Sequence, residues 1–193
     1  NKVNQLKKSL NNFNMSKPTL GIIGGGQLGS MLASAAKKLN VKTIIFSDER
    51  DAPAQRFSDE FIYSQYNDQQ KINEFISKVN MITYEFENIP FETLNKINKS
   101  KPVLPKPSIN RIIQHRLAEK DFINKLNIRT TQYISIEEKS QIYALQDLLP
   151  GLLKTTTLGY DGKGQHLINS IDDIKNLDID FSNNYILEKL VKL

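Results

Sequence analysis

From Thr19 onward, short apolar runs alternate with stripes of apolar residues three and four apart. Leu20-Gly21-Ile22-Ile23 ends in glycines and predicts a buried strand. Gln27–Leu39 carries apolar residues at Leu28, Met31, Leu32, Ala35, Ala36 and Leu39, a helical spacing that Asn40 can stop. Strands are predicted over Val41–Phe46, Glu60–Gln65 and Met81–Phe86. Helices are predicted through Ile72, Phe75, Ile76 and Val79, and over Phe91–Ile97. Strand, helix, strand in this order implies a parallel sheet with helices on both faces.

The pattern changes at Lys101-Pro102-Val103-Leu104-Pro105-Lys106-Pro107, where the prolines favour an extended link. Two helices are expected next, Ser108–Gln114 and Leu117–Leu126. Then follow a strand over Thr131–Ile136, a helix over Gln141–Leu149 and a strand over Gly151–Thr156. A glycine-rich loop leads to a strand over Gln165–Ile168, a short helix near Ile171–Leu177 and a strand over Tyr185–Leu190. This second unit has an α+β character, and its sheet is expected to continue past Leu193. The domains expected are a tail over 1–17, a parallel-sheet domain over 18–100, a link with helices over 101–129 and a second lobe over 130–193.

Composition narrows the chemistry. With 39% hydrophobic and 24% charged residues the chain is globular rather than disordered. Without cysteine there is no disulfide, thiolate metal site or thiol catalysis, and two distant histidines, His115 and His166, make no histidine metal cluster. No apolar run is long enough for a membrane span and no secretory signal precedes the first strand, so a cytoplasmic location is expected. Of the net charge of +5, residues 1–17 contribute +4 through Lys2, Lys7, Lys8 and Lys17. The folded body is near neutral and offers no basic patch for nucleic acid.

Four stretches can carry chemistry. Gly24-Gly25-Gly26-Gln27-Leu28-Gly29 matches G-x-G-x-x-G between a strand and a helix, a turn suited to a phosphate. Asp48, nineteen residues past Gly29, stands where a dinucleotide enzyme keeps its ribose-binding acid. Phosphate binding, NAD binding and a purely structural turn all fit that much. Tyr84-Glu85-Phe86-Glu87-Asn88 ends a strand of the same sheet, and strand alternation sets Glu85 and Glu87 on one face. They are either site acids or solvated acids ahead of the next helix. Gly159-Tyr160-Asp161-Gly162-Lys163-Gly164-Gln165 has the glycines and exposed amides to fold over phosphates, although it is no P-loop. Its bland counterpart is a D-G hairpin turn. Lys154, in the apolar run Gly151-Leu152-Leu153-Lys154, needs a partner such as a nucleotide phosphate unless it lies on an exposed edge.

In register, GIIGGGQLG (Gly21–Gly29), YEFEN (Tyr84–Asn88), Lys154 with GYDGKGQ (Gly159–Gln165) and Glu188-Lys189-Leu190-Val191 resemble the N5-carboxyaminoimidazole ribonucleotide synthetase family. The resemblance covers about residues 18–193 and looks like the family's N-terminal half. It implies a Rossmann-like pre-ATP-grasp domain followed by the small α+β lobe of an ATP-grasp fold, truncated. The implied activity is ATP-dependent carboxylation of aminoimidazole ribonucleotide with bicarbonate through carboxyphosphate, by a homodimer. By resemblance Arg116 and Lys154 hold the ATP phosphates, the loop Gly159–Gln165 closes over them, and Glu188, Lys189, Leu190 and Val191 read the adenine edge. Gly26, Gln27 and Leu28, with Glu85 or Glu87, form the ribonucleotide pocket, which Tyr160, Asp161 and Lys163 reach when the loop shuts. Asp161 is the expected proton acceptor from the substrate amine, and Lys154 and Lys163 the catalytic cations. Asp48 then loses its dinucleotide role.

The chain departs from the family pattern at Leu158, where the loop usually has a glycine. The Mg²⁺ carboxylates of the fold are expected beyond Leu193, so the chain as given is expected not to complete catalysis. The rival expectations are an NAD-dependent oxidoreductase, a related ATP-grasp ribonucleotide transformylase and a non-catalytic relic.

Overall fold

The computed structural model describes residues 17–159, 164–181 and 183–191. The expected tail, apart from Lys17, lies outside these residues, as do Tyr160, Asp161, Gly162 and Lys163 of the loop. The chain divides into two compact units, 1–108 and 109–193.

Unit one is a parallel sheet built from β1 (Thr19–Ile23), β2 (Lys42–Ser47), β3 (Glu60–Tyr63) and β4 (Met81–Tyr84), in the order β3-β2-β1-β4. Its helices are α1 (Gln27–Lys38), α2 (Gln69–Lys78) and α3 (Phe91–Asn98). Successive side chains leave a strand on opposite faces, so neighbouring isoleucines go to different layers. Ile23, Ile44 and Phe46 join Phe75, Ile82, Leu94 and Ile97 in the larger core. Ile22 and Ile45 pack with Ala33 and Ala54 on the other side. The proline-rich stretch also belongs to this unit. Val103 bridges Ile82 in parallel, with the Ile82 N–H donating to the Pro102 carbonyl at 2.9 Å and the Leu104 N–H to the Ile82 carbonyl at 2.9 Å.

Helix α1 forms where the spacing predicts, but of its apolar stripe only Ala36 is buried. Gly29, Ser30, Ala33 and Ala36 face the sheet, while Leu28, Met31 and Leu39 are 57%, 61% and 77% exposed. Close approach is the cause. A Cβ on Gly29 would stand 2.8 Å from the Gly24 carbonyl oxygen, so only small side chains fit between this helix and the strand ends.

Unit two holds helix α5 (Arg116–Lys125) and an antiparallel sheet of β5 (Tyr133–Ile136), β6 (Gly151–Thr155), β7 (Gln165–Ile168) and β8 (Tyr185–Lys189), in the order β5-β8-β6-β7. Helix α4 (Pro107–Ile113) straddles the division between the units. One face of the sheet is the core, with Ile136, Leu153, Ile168, Tyr185 and Leu187. The other face carries Tyr133, Lys154 and Glu188, since Tyr133 and Leu152 both pair with Glu188 in the ladder.

The helix expected over Gln141–Leu149 breaks in two. A capping box between Glu138 and Gln141 starts α6 (Lys139–Ile142) two residues early, and a 3₁₀ turn at Gln146–Leu148 follows. Pro150 disfavours a helical Leu149 and ends the stretch. A further helix, α7 (Ile171–Lys175), has its own capping box at Ser170 and Asp173.

Gly21 marks the tightest packing in the larger core. A Cβ there would lie 2.5 Å from Phe75 Cζ, and Phe75 is fully buried. Gly21→Ala is expected to destabilise the chain by about 1–3 kcal/mol, read as a lower urea midpoint with the slope unchanged.

Candidate functional site

In unit one the strand ends converge on a cavity of about 210 Å³. Gly24, Gly25 and Gly26 line it with Ser47, Asp48, Glu49, Tyr66, Glu85 and Phe86. The glycine turn starts when the Gly24 N–H donates to the Phe46 carbonyl at 2.9 Å, with Gly24 at φ +104°, a conformation that excludes most side chains. The strand expected to run to Phe86 stops at Tyr84. The Glu85 N–H still donates to the Ile23 carbonyl of β1 at 3.1 Å, and its side chain reaches the turn, where Oε1 accepts the Gly26 N–H at 2.8 Å. Glu87 is exposed and is not among the cavity walls.

That bond changes what the turn can hold. An internal carboxylate already sits at the amino end of α1, where the helix dipole favours an anion. Glu85, Asp48 and Glu49 together make the cavity acidic, so a phosphate entering it meets like charge. The surroundings suit amine, ring N–H or hydroxyl donors instead. Gln27 and Leu28 open the first turn of α1 and are exposed, outside this cavity. Tyr66, buried beside Asp48, was not singled out from sequence. Burial pushes its phenol pKa well up, the negative charge of Asp48 adds to the rise, and so does donation of its O–H to that carboxylate.

In unit two the charged face of the sheet lies under α5. Arg116 and Lys120 are four residues apart, hence on one side of that helix. Lys154 Nζ stands 2.9 Å from Glu188 Oε2, and Lys120 Nζ stands 3.4 Å from Glu188 Oε1. The three side chains are only 19%, 16% and 10% exposed for Lys154, Lys120 and Glu188. Arg116 donates from Nη1 to the carbonyls of Thr155 at 2.7 Å and Leu158 at 2.6 Å, and from Nη2 to that of Gly159 at 2.6 Å. Among the described residues, two ammonium groups thus share the Glu188 carboxylate, and the Arg116 guanidinium nearby is held by carbonyls that leave its charge unneutralised. An anionic ligand would complete the balance.

The loop base is held in left-handed backbone, at Leu158 (φ +56°), Gly159 (φ +77°) and Gly164 (φ +70°). Leu158 is a leucine in glycine's conformation. Gln165 pairs with Lys154 in the ladder, next to the cations. Of the expected hinge, Lys189 donates its N–H to Gln132 at 2.9 Å and its carbonyl accepts the Thr131 hydroxyl at 2.7 Å. Leu190 donates its N–H to Pro150 at 2.9 Å. Among the described residues, the backbone groups left by the sheet begin at the Leu190 carbonyl and the Val191 amide. Tyr160, Asp161, Gly162 and Lys163 lie outside the described residues. Lys120 was missed in the sequence, and its offset of four from Arg116 is the signal that could have found it.

Among the described residues no group of three or more His, Cys, Asp or Glu could hold a metal ion. Nor is any described helix long and apolar enough to cross a membrane.

Comparison with known proteins identifies both units. The family model of the ribonucleotide synthetase pre-ATP-grasp domain matches residues 17–114, and that of the ATP-grasp domain matches residues 121–193. An N5-carboxyaminoimidazole ribonucleotide synthase of Brucella melitensis is 39% identical over 157 residues, 80% of this chain and 43% of the relative. One of Staphylococcus aureus is 36% identical over 168 residues, 85% of this chain and 45% of the relative. The structure of the Staphylococcus aureus N5-carboxyaminoimidazole synthetase complexed with ADP superposes with a TM-score of 0.83 at 34% identity. It covers 93% of this chain and 49% of that one. The chain thus spans less than half the length of the curated relatives it matches.

Tyr66 makes the cavity wall sensitive to alkali. Its folded pKa lies above the unfolded value near 10, so its contribution is whole below about pH 10 and fades as pH rises toward the folded pKa. Tyr66→Phe is expected to flatten the loss of stability above pH 10. Unfolding midpoints measured from pH 8 to 11 check this. A residual slope is expected from Tyr84, whose phenol burial also raises.

Proposed function

The chain belongs to the ribonucleotide synthetase family, with a pre-ATP-grasp domain followed by an ATP-grasp segment, and from this premise we propose that it serves the ATP-dependent carboxylation of 5-aminoimidazole ribonucleotide. The observation that carries the reading is the face of β6, β8 and α5, where Lys120 and Lys154 share the carboxylate of Glu188 and Arg116 is held by the carbonyls of Thr155, Leu158 and Gly159. Phosphoryl transfer asks chiefly for positioning and for neutralisation of the oxygens that gain charge. Lys154 and Arg116 provide cations for the phosphates, and the Leu190 carbonyl and Val191 amide are open to an adenine edge.

In the reaction, a bicarbonate oxygen attacks the γ-phosphorus of ATP, the bond to the β,γ-bridging oxygen breaks and ADP leaves. The amine nitrogen of the ribonucleotide then takes the carboxyl carbon of carboxyphosphate, inorganic phosphate departs, and the N–H proton goes to a base. Asp161 is assigned that base, and Lys163 steadies the departing charge. The acid-lined cavity at Glu85 and Asp48 receives the donor groups of the ribonucleotide, with Gly26, Gln27 and Leu28 at its helical rim and Glu87 outside it. Tyr160 of the loop is assigned to the same substrate. The same reading includes Mg²⁺ on the nucleotide, a cytoplasmic location and a homodimer. A dinucleotide reading loses support because the glycine turn already bonds Glu85.

Binding to the 193-residue chain tests the two halves separately. Lys154→Met is expected to weaken ATP about 10- to 100-fold, as loss of a charge-assisted hydrogen bond implies, and to leave aminoimidazole ribonucleotide unaffected. Glu85→Gln is expected to do the reverse. Calorimetric titration reads both. Unchanged ATP affinity in Lys154→Met would sink the assignment.

A further inference from the structure

Lys154 already has a partner, and this raises a difficulty for any ligand that needs it. Its Nζ sits 2.9 Å from Glu188 Oε2, with both groups largely buried. A phosphate that draws Lys154 away would leave a buried carboxylate uncompensated, and breaking such a pair on one side is far costlier than never forming it. Lys120 removes the difficulty. Its Nζ lies 3.4 Å from the other oxygen, Oε1, so Glu188 keeps a counter-charge when Lys154 departs.

Lys120 is itself well placed to stay. Its ammonium lies over the Tyr133 ring, 5.3 Å from the centroid. The Tyr133 hydroxyl donates to Asp121 Oδ1 at 2.7 Å and accepts from Asn124 Nδ2 at 3.0 Å, both on the same helix as Lys120. Helix, ring and ammonium are therefore tied into one unit, and Lys154 is the member free to turn.

We propose that Lys120 is a positioning residue that holds the Glu188 carboxylate and so releases Lys154 to the phosphates of a bound nucleotide. The proposal rests on the nucleotide reading above and goes beyond it, because Lys120 acts through Glu188 and not on the ligand.

A double-mutant cycle on the 193-residue chain, read by calorimetric titration with ATP, tests this. Lys120→Met is expected to weaken ATP about tenfold, because Lys154 becomes the sole partner of Glu188. In a Glu188→Gln background the same change is expected to shift affinity less than about twofold. Lys120→Arg, which keeps the charge, is expected to retain ATP affinity within about threefold. An equal loss from Lys120→Met in both backgrounds would overturn the proposal in favour of direct phosphate contact or a purely structural role. No loss from Lys120→Met alone would overturn it too. If the unmutated chain fails to bind ATP, the nucleotide reading falls and this inference with it. Lys120→Gln reads the same cycle should the methionine variant not fold.

Discussion

Side-chain alternation along the strands is the constraint from which both candidate sites follow. A strand has two faces, and in unit two one of them is committed to the core through Leu153 and Leu187. Lys154 and Glu188, each one residue further along, have no choice but the opposite face, under α5. In unit one the same rule sends Ile22 and Ile23 to separate layers, and the sheet is covered on both sides. With both faces closed, the strand ends are where polar chemistry can gather, and the glycine turn, Asp48 and Glu85 gather there.

The two units differ in electrical character. The cavity of unit one is walled by carboxylates and by backbone amides, one of which Glu85 already holds. The face of unit two has more ammonium and guanidinium groups than carboxylates among the described residues. A ligand rich in N–H and O–H donors belongs with the first, and a polyphosphate with the second. Neither unit alone suits a molecule that needs both environments.

Much of this was legible in the residues. The βαβ order, the change of pattern after residue 100 and the loop beside Lys154 follow from periodicity and glycine spacing. Three features did not. The stripe of Leu28, Met31 and Leu39 is helical, yet close approach at Gly29 gives the buried face to small residues, and periodicity does not register backbone distance. Glu85 lies in a run that alternates like a strand, and only the register of β4 on β1 sets its side chain against the Gly26 amide, which is a tertiary outcome. Lys120 looks like any surface lysine of an amphipathic helix. Only the fold places it 3.4 Å from a glutamate 68 positions later.

Arg116 differs from the two lysines in what it holds. Its partners are three carbonyl oxygens, at Thr155, Leu158 and Gly159. Carbonyls orient a guanidinium without cancelling its charge, so the full positive field of this residue persists beside the loop base. Such a field reaches roughly 8 Å through physiological ionic strength and about 30 Å in dilute buffer. The rate at which a polyanion finds this surface therefore depends on the ionic atmosphere: encounters quicken as salt is withdrawn, while the internal grip of Arg116 on its carbonyls stays the same.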